Sequence, residues 1–179
     1  MTETLGVLPD VGACRQVDGG FELSFERRLR HAPERVWAAL TTPEGLACWL
    51  AEARIEPEPG GAMELQFQQR PGPDAPENWK PPQQFNEVLT YRPFELFEHT
   101  FGGTSNSVVS WRLTPDGDGT HLTLVHRVPQ SWEGDRSMVL SGWHHHMEGL
   151  EDAAGRVPHA WSWSRWRALR DAYAAELER

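Results

Sequence analysis

Six segments of alternating apolar and polar residues constrain the fold of this chain more than any other feature. In the first, Phe21, Leu23 and Phe25 share one face, and five more such segments lie between residues 62 and 128. A period of two is typical of β-strands that bury one face. The separators between the later segments are short, and residues 115–119 read Pro-Asp-Gly-Asp-Gly, which favours a hairpin turn. The sequence therefore predicts a curved antiparallel sheet of about six strands.

Helical spacing occurs in two parts of the chain. Two short helices are predicted after the first strand, where Pro33 suits a first helical turn and Thr42 suits an N-cap. A long helix is predicted over residues 135–154, ending at Gly155. A further helix follows Pro158, with one apolar stripe made of Trp163, Trp166, Leu169, Tyr173 and Leu177.

This order of elements predicts an α+β fold in which the long helix lies across the sheet and leaves a cavity between them. We divide the chain into an N-terminal arm (1–20), a central domain (21–154) and a C-terminal Trp-rich helical extension (155–179). The extension should dock on the body or on a second subunit, because so much aromatic surface is rarely left in water. A homodimer is one possibility. Residues 70–84 hold five of the 14 prolines and are predicted to form a long loop of the kind that covers binding sites.

Charge and cysteine usage exclude several classes of function. The chain has 17 Lys and Arg against 26 Asp and Glu, a net charge of −9, without a basic cluster. That balance argues against nucleic-acid partners and against an anionic membrane surface. Two cysteines without CxxC spacing, and an N-terminus without signal-peptide features, favour the cytoplasm.

Neither a metal site nor a cofactor is predicted. Residues 144–146 are three consecutive histidines, but successive helical side chains point about 100° apart and do not converge on one ion. His144 and Glu148 are four residues apart, which equally fits an exposed helix face. The sequence also lacks a phosphate-binding glycine loop and a nucleophile elbow.

Two histidines lie on otherwise apolar strand faces and are the more interesting polar candidates. His99 alternates in phase with Phe97 and Phe101, and His126 alternates in phase with Leu122 and Leu124. Such imidazoles can orient a ligand or act as an acid or base, and the alternative is a hydrogen-bonded core histidine. Burial without a nearby carboxylate should keep both neutral at pH 7 and lower their pKa below about 6.5.

The inward faces of the strands and of the long helix together give the predicted cavity wall. Met63 belongs to it, and the candidate ligand-binding residues are Leu65, Phe67, Phe97, His99, Phe101, Val109, Trp111, Leu122, Leu124, His126, Trp143, His146 and Met147.

Three blocks of the sequence resemble a known family in order and spacing. They are ERVWAALTTPEGLACWL, EHTFGGTSNSVVSWRLTPDGDGTHLTLVHR and SGWHHHMEGL. The chain is similar to the START-like or SRPBCC superfamily, and within it to bacterial relatives of the C-terminal domain of the heat-shock chaperone ATPase activator. The resemblance covers residues 21–154. It implies a helix-grip fold and an apolar-ligand pocket, and it supplies no catalytic motif to transfer.

Three functions follow as hypotheses. The first is binding of a small apolar or aromatic ligand, as a carrier or as an accessory or sensor protein. The second is an enzyme of the polyketide cyclase, dehydratase or hydrolase kind that uses a cavity histidine, although no convergent catalytic set is seen. The third is a chaperone-associated interaction module that acts through its surface.

Overall fold

Eight antiparallel strands form one sheet in the computed structural model, which describes residues 10–132 and 134–178. The strands lie in the order β1-β2-β8-β7-β6-β5-β4-β3. Their bounds are β1 (Ala13–Val17), β2 (Gly20–Leu29), β3 (Glu52–Ile55), β4 (Ala62–Gln66), β5 (Gln83–Arg92), β6 (Leu96–Phe101), β7 (Thr104–Asp116) and β8 (Gly119–Pro129).

In the described part of the chain, five helices complete the fold, which is of the helix-grip type. Two short helices join β2 to β3, and three follow the last strand. Their bounds are α1 (Pro33–Thr41), α2 (Pro43–Ala47), α3 (Arg136–Glu148), α4 (Leu150–Ala154) and α5 (Trp163–Leu177). Thr42 caps α2 by accepting a hydrogen bond from the backbone N–H of Gly45 at 3.0 Å. Within the described residues, no helix has both the length and the apolarity needed to cross a membrane.

Among the described residues the sheet has eight strands, whereas about six were expected. The two additional strands, β1 and β3, lie at the two edges, are only five and four residues long, and have no fully buried side chain. β1 falls within the predicted arm and pairs with β2, so Cys14 lies opposite Leu23. Residues 1–9 of that arm lie outside the described residues.

The predicted long helix is divided at Gly149, which separates α3 from α4. A Cβ atom on Gly149 would lie 2.5 Å from the ring of His159, so glycine permits the following segment to pack closely here. The backbone N–H of His159 also donates to the carbonyl oxygen of Cys48 at 2.7 Å. The helix is therefore broken where the chain turns back towards the body.

Large aromatic side chains fill the space between the sheet and α3. The ring of Trp111 meets Trp49 and Trp143 edge to face, with centroids 5.7 and 5.4 Å apart. Both arrangements have the geometry that aromatic pairs prefer. These rings therefore fill part of the space that was predicted to be a cavity.

The C-terminal extension docks on the body. Trp166, Leu169 and Tyr173 of α5 are buried, whereas Leu177 is 37% exposed, so the predicted stripe ends one turn earlier than expected. The hydroxyl of Tyr173 accepts a hydrogen bond from the backbone N–H of Gly12 at 2.8 Å. α5 thus connects α3 with the segment that leads into β1.

Candidate functional site

An apolar cavity of about 190 Å³ lies where α3, the Pro-rich loop (residues 70–84) and the C-terminal extension meet. Five of the fifteen residues that line it are tryptophans. The wall consists of Leu50, Phe67, Gln69, Trp79, Pro82, Gln84, Phe101, Met138, Val139, Gly142, Trp143, His146, Trp161, Trp163 and Trp166. Concave sites with mostly apolar walls and few polar groups are typical of small-molecule binding.

Trp163 fixes the Pro-rich loop against the extension. Its indole N–H donates to the carbonyl oxygen of Arg70 at 2.7 Å, and its ring meets Trp79 edge to face at 4.9 Å. Arg167 also lies 3.3 Å from the carboxylate of Asp74. These contacts join two segments that are distant in the sequence and that both line the cavity.

Two further cavities adjoin the first. One, of about 140 Å³, shares Leu50, Gln69, His146 and Trp161 with it, and has a more polar wall. The other, of about 420 Å³, shares Phe101 and Val139 with the apolar cavity and is also lined by Ser107 and His126. We call the cavity of about 140 Å³ the polar cavity and the cavity of about 420 Å³ the large cavity.

His99 and His126 lie on the same face of the sheet, since Val109 pairs with both of them from the intervening strand. The ring of His99 is held entirely by protein groups. Its Nδ1–H donates to the carbonyl oxygen of Thr100 at 2.7 Å, and its Nε2 accepts the indole N–H of Trp111 at 3.2 Å. Burial lowers the pKa of His99 to about 4. This histidine is a neutral, hydrogen-bonded core residue.

His126 forms a comparable pair of bonds, but at the wall of the large cavity. Trp143 donates its indole N–H to Nδ1 at 3.1 Å, and Nε2 lies 2.8 Å from the hydroxyl oxygen of Ser107. Because an indole N–H only donates, the neutral ring carries its hydrogen on Nε2 and donates it to Ser107. Burial, with a smaller effect from His99, lowers the pKa of His126 to about 3.

This tautomer decides what the Ser107–His126 pair can do. A base that activates a serine must accept the serine proton at the nitrogen that faces the hydroxyl. In His126 that nitrogen already carries a hydrogen. The arrangement therefore leaves the Ser107 hydroxyl free to donate a hydrogen bond and does not prepare it as a nucleophile.

The three consecutive histidines of α3 form hydrogen bonds with three different segments, which are α5, the segment that precedes α5, and the segment between α2 and β3. The interpretation as an exposed helix face is wrong, because the residues are only 2, 3 and 8% exposed beneath the C-terminal extension. His144 Nδ1 forms a 2.7 Å hydrogen bond with the hydroxyl of Tyr173, and His145 Nε2 accepts the backbone N–H of Ser162 at 2.8 Å. Across the described residues, no group of three or more ligating side chains is placed to hold a metal ion.

His146 points towards the cavities. Its Nδ1–H donates to the carbonyl oxygen of Trp49 at 2.9 Å, and its Nε2 lies 3.1 Å from the side-chain nitrogen of Gln69. Burial lowers the pKa of His146 to about 4. Its ring is packed 4.6 Å from that of Trp161.

Glu148 joins α3 to the C-terminal extension through an ion pair with Arg165. His145 Nδ1 lies 2.9 Å from its carboxylate, and Arg165 donates to it at 2.5 and 3.0 Å. Burial raises the pKa of Glu148, but the hydrogen bonds from His145 and Arg165 outweigh it and bring the pKa to about 2.

The structure divides the predicted wall residues into two groups. Phe67, Phe101, Trp143 and His146 line the apolar cavity, and His126 lines the large cavity together with Phe101. The others are buried core residues that do not line these three cavities, and their contact with a ligand stays a prediction: Met63, Leu65, Phe97, His99, Val109, Trp111, Leu122, Leu124 and Met147.

Sequence reasoning missed Gln69, Trp79 and the tryptophans of the extension as wall residues. Two features of the sequence pointed to these residues, namely the Pro-rich loop and the three closely spaced tryptophans after Pro158. What no periodicity reveals is that these two segments meet each other.

Comparison with known proteins places this geometry in context. The family model described as activator of Hsp90 ATPase homolog 1-like protein matches residues 30–155. Among curated proteins, no relative matches the sequence.

Several solved structures share the fold. A protein of Bordetella parapertussis, encoded by gene BPP1335, is 26% identical with a TM-score of 0.69, over 97% of this chain and 94% of that one. CalU16 of Micromonospora echinospora is 19% identical with a TM-score of 0.67, over 95% and 98% of the two chains. The conserved protein of unknown function EF2215 of Enterococcus faecalis is 16% identical with a TM-score of 0.68, over 94% and 92%.

Proposed function

The chain belongs to the activator of Hsp90 ATPase homolog 1-like family, and we propose that it binds a small apolar or aromatic ligand in the tryptophan-lined cavity, as a carrier or accessory protein. The observation that carries this proposal is the cavity itself, with five tryptophans in its wall. We expect the protein to act in the cytoplasm without nucleic acid or membrane. Its net charge of −9 and its free thiols, Cys14 and Cys48, support that expectation.

The size and chemistry of the space support ligand binding over simple packing. Apolar cavities of about 150 Å³ stay dry and can bind a molecule of the size of benzene. A space of about 190 Å³ walled by aromatic rings therefore suits a ligand with one or two aromatic rings.

Gly142 offers a direct test because it lines the apolar cavity from α3, and a Cβ atom added there meets nothing within 4 Å. Gly142→Leu should fill the cavity, whereas Gly142→Ala adds one methyl group and serves as the matched control. Naphthalene should raise the melting temperature of the wild type and of Gly142→Ala, through linkage of binding to folding, but not that of Gly142→Leu. Equal shifts in all three proteins would place the binding elsewhere.

Native mass spectrometry of protein purified from cells gives a second readout. A retained apolar or aromatic mass in the wild type, reduced in Gly142→Leu, supports the proposal. Turnover of compounds in a metabolite mixture would instead favour an enzyme. Co-purification of a chaperone, without retained mass and without a naphthalene shift, would favour an interaction module.

A further inference from the structure

Three residues that line the polar cavity each carry an unpartnered polar atom. Four buried side-chain nitrogen or oxygen atoms among the described residues lack a hydrogen-bond partner. Three of them, Gln69 Oε1, His159 Nε2 and Trp161 Nε1, belong to residues that line this one cavity. Because buried polar groups are normally paired, such a concentration calls for an explanation.

The hydrogen-bonding role of the Gln69 oxygen follows from its neighbours. The Trp49 carbonyl oxygen only accepts, so Nδ1 of His146 carries the hydrogen and Nε2 must accept. The group that faces Nε2 is therefore the amide NH₂ of Gln69, which donates at 3.1 Å. Gln69 is 7% exposed, and its Oε1 is left as an acceptor without a donor.

The Trp161 atom is a donor, because an indole N–H only donates. The residues around the polar cavity thus supply one acceptor, Gln69 Oε1, and one donor, the Trp161 N–H. The polar cavity adjoins the apolar cavity through Leu50, Gln69, His146 and Trp161.

We infer, on the basis of the function proposed above, that the ligand is an uncharged hydroxyl-bearing aromatic molecule that places its ring in the apolar cavity and its hydroxyl in the polar cavity. A hydroxyl donates one hydrogen bond and accepts others, so it can pair with an acceptor such as Gln69 Oε1 and with the Trp161 N–H. A carboxylate or phosphate only accepts, and it would leave Gln69 Oε1 unpaired. A cationic ammonium group would leave the Trp161 N–H unpaired.

Naphthalene derivatives that differ in one substituent test this inference by equilibrium dialysis. 2-Naphthol should bind the wild type about tenfold more tightly than 2-methoxynaphthalene, which has the same rings but no donor. 2-Naphthoate, an anion, should bind more weakly than 2-naphthol. In Trp161→Phe, which keeps an aromatic ring but removes the N–H, the preference for 2-naphthol should fall several-fold.

Trp163→Phe is the matched control, since its indole N–H already donates to the carbonyl oxygen of Arg70. It should change the affinities for 2-naphthol and 2-methoxynaphthalene by the same factor. Equal affinity of the wild type for both compounds, or tighter binding of 2-naphthoate, would overturn the inference and leave the proposed function standing. Failure of every naphthalene derivative to bind would overturn both.

Discussion

The hydroxyl of Tyr173 lies 2.7 Å from Nδ1 of His144 and joins the last helix to the middle of α3. The same hydroxyl accepts the backbone N–H of Gly12. One oxygen atom therefore connects the two ends of the described chain to its central helix.

Tyr173→Phe should lower the free energy of unfolding by about 1–3 kcal/mol, because it leaves the Gly12 N–H and the His144 ring without their buried partner. Urea unfolding measures the change. Leu177→Ala, at an exposed position of the same helix, is the control and should change stability by less than about 0.5 kcal/mol. Similar small losses for both variants would mean that the hydroxyl contributes nothing.

Truncation after Gly155 should lower both stability and solubility. It removes Trp161, Trp163 and Trp166 from the wall of the apolar cavity and exposes the buried histidines of α3 to water. Naphthalene should no longer raise the melting temperature of the truncated protein. An unchanged melting temperature and an unchanged ligand response would show that the extension is dispensable.

Gly142, in the middle of α3, and Gly149, immediately after that helix, should respond to alanine in opposite directions. Gly142→Ala places a methyl group in open space and should stabilise the helix by about 0.5–1 kcal/mol. Gly149→Ala should destabilise the protein, because its Cβ would lie 2.5 Å from the His159 ring. Thermal unfolding of the pair checks the prediction, and a stabilised Gly149→Ala would contradict the close packing described here.

The buried histidines should make the fold sensitive to acid. The folded-state pKa values of His99, His144 and His146 are about 4 and that of His126 is about 3, against about 6.5 in an unfolded chain. The unfolded chain therefore binds more protons between these values. Their contribution to stability is complete above pH 6.5 and is lost as the pH falls towards 4.

Near pH 5 each of these four groups should add about 1.4 kcal/mol per pH unit to the slope of the unfolding free energy. Since whole domains are stable by only about 5–15 kcal/mol, we expect acid unfolding well above pH 4. Urea titrations at several pH values measure the slope, and His144→Gln should reduce it by about one proton. A slope of less than one proton would contradict the burial of these rings.

The two strand histidines should show opposite tautomers at neutral pH. His99 should carry its hydrogen on Nδ1, because Trp111 donates to Nε2, and His126 should carry it on Nε2, because Trp143 donates to Nδ1. Nitrogen chemical shifts from long-range ¹H–¹⁵N spectra distinguish the two forms. Finding Nδ1–H on His126 would restore it as a possible base towards Ser107.

The helix-grip fold was predictable because its signals are local. Alternation located the six strands with a buried face, and the register confirms an antiparallel sheet. The edge strands β1 and β3 escaped detection because they are only five and four residues long, and so few residues do not establish an alternating pattern.

The site was less predictable because it depends on contacts between distant segments. The phase of the strands placed His99 and His126 on one face, but Trp111 and Trp143 pack against these rings, and of the two histidines only His126 lines one of the three cavities. Whether an inward residue contacts other side chains or an open cavity depends on how large side chains from other elements pack. The contact between Trp163 and Arg70, 93 residues apart, is of this kind.

The apolar cavity has a divided wall: Phe67, Phe101 and Trp143 lie within the region that matches the family, while Trp161, Trp163 and Trp166 follow it. Substitutions in the last segment can therefore change which molecules fit without altering the sheet. The shape of the cavity can therefore be altered at Trp161, Trp163 or Trp166 while the part of the chain that matches the family model is left unchanged.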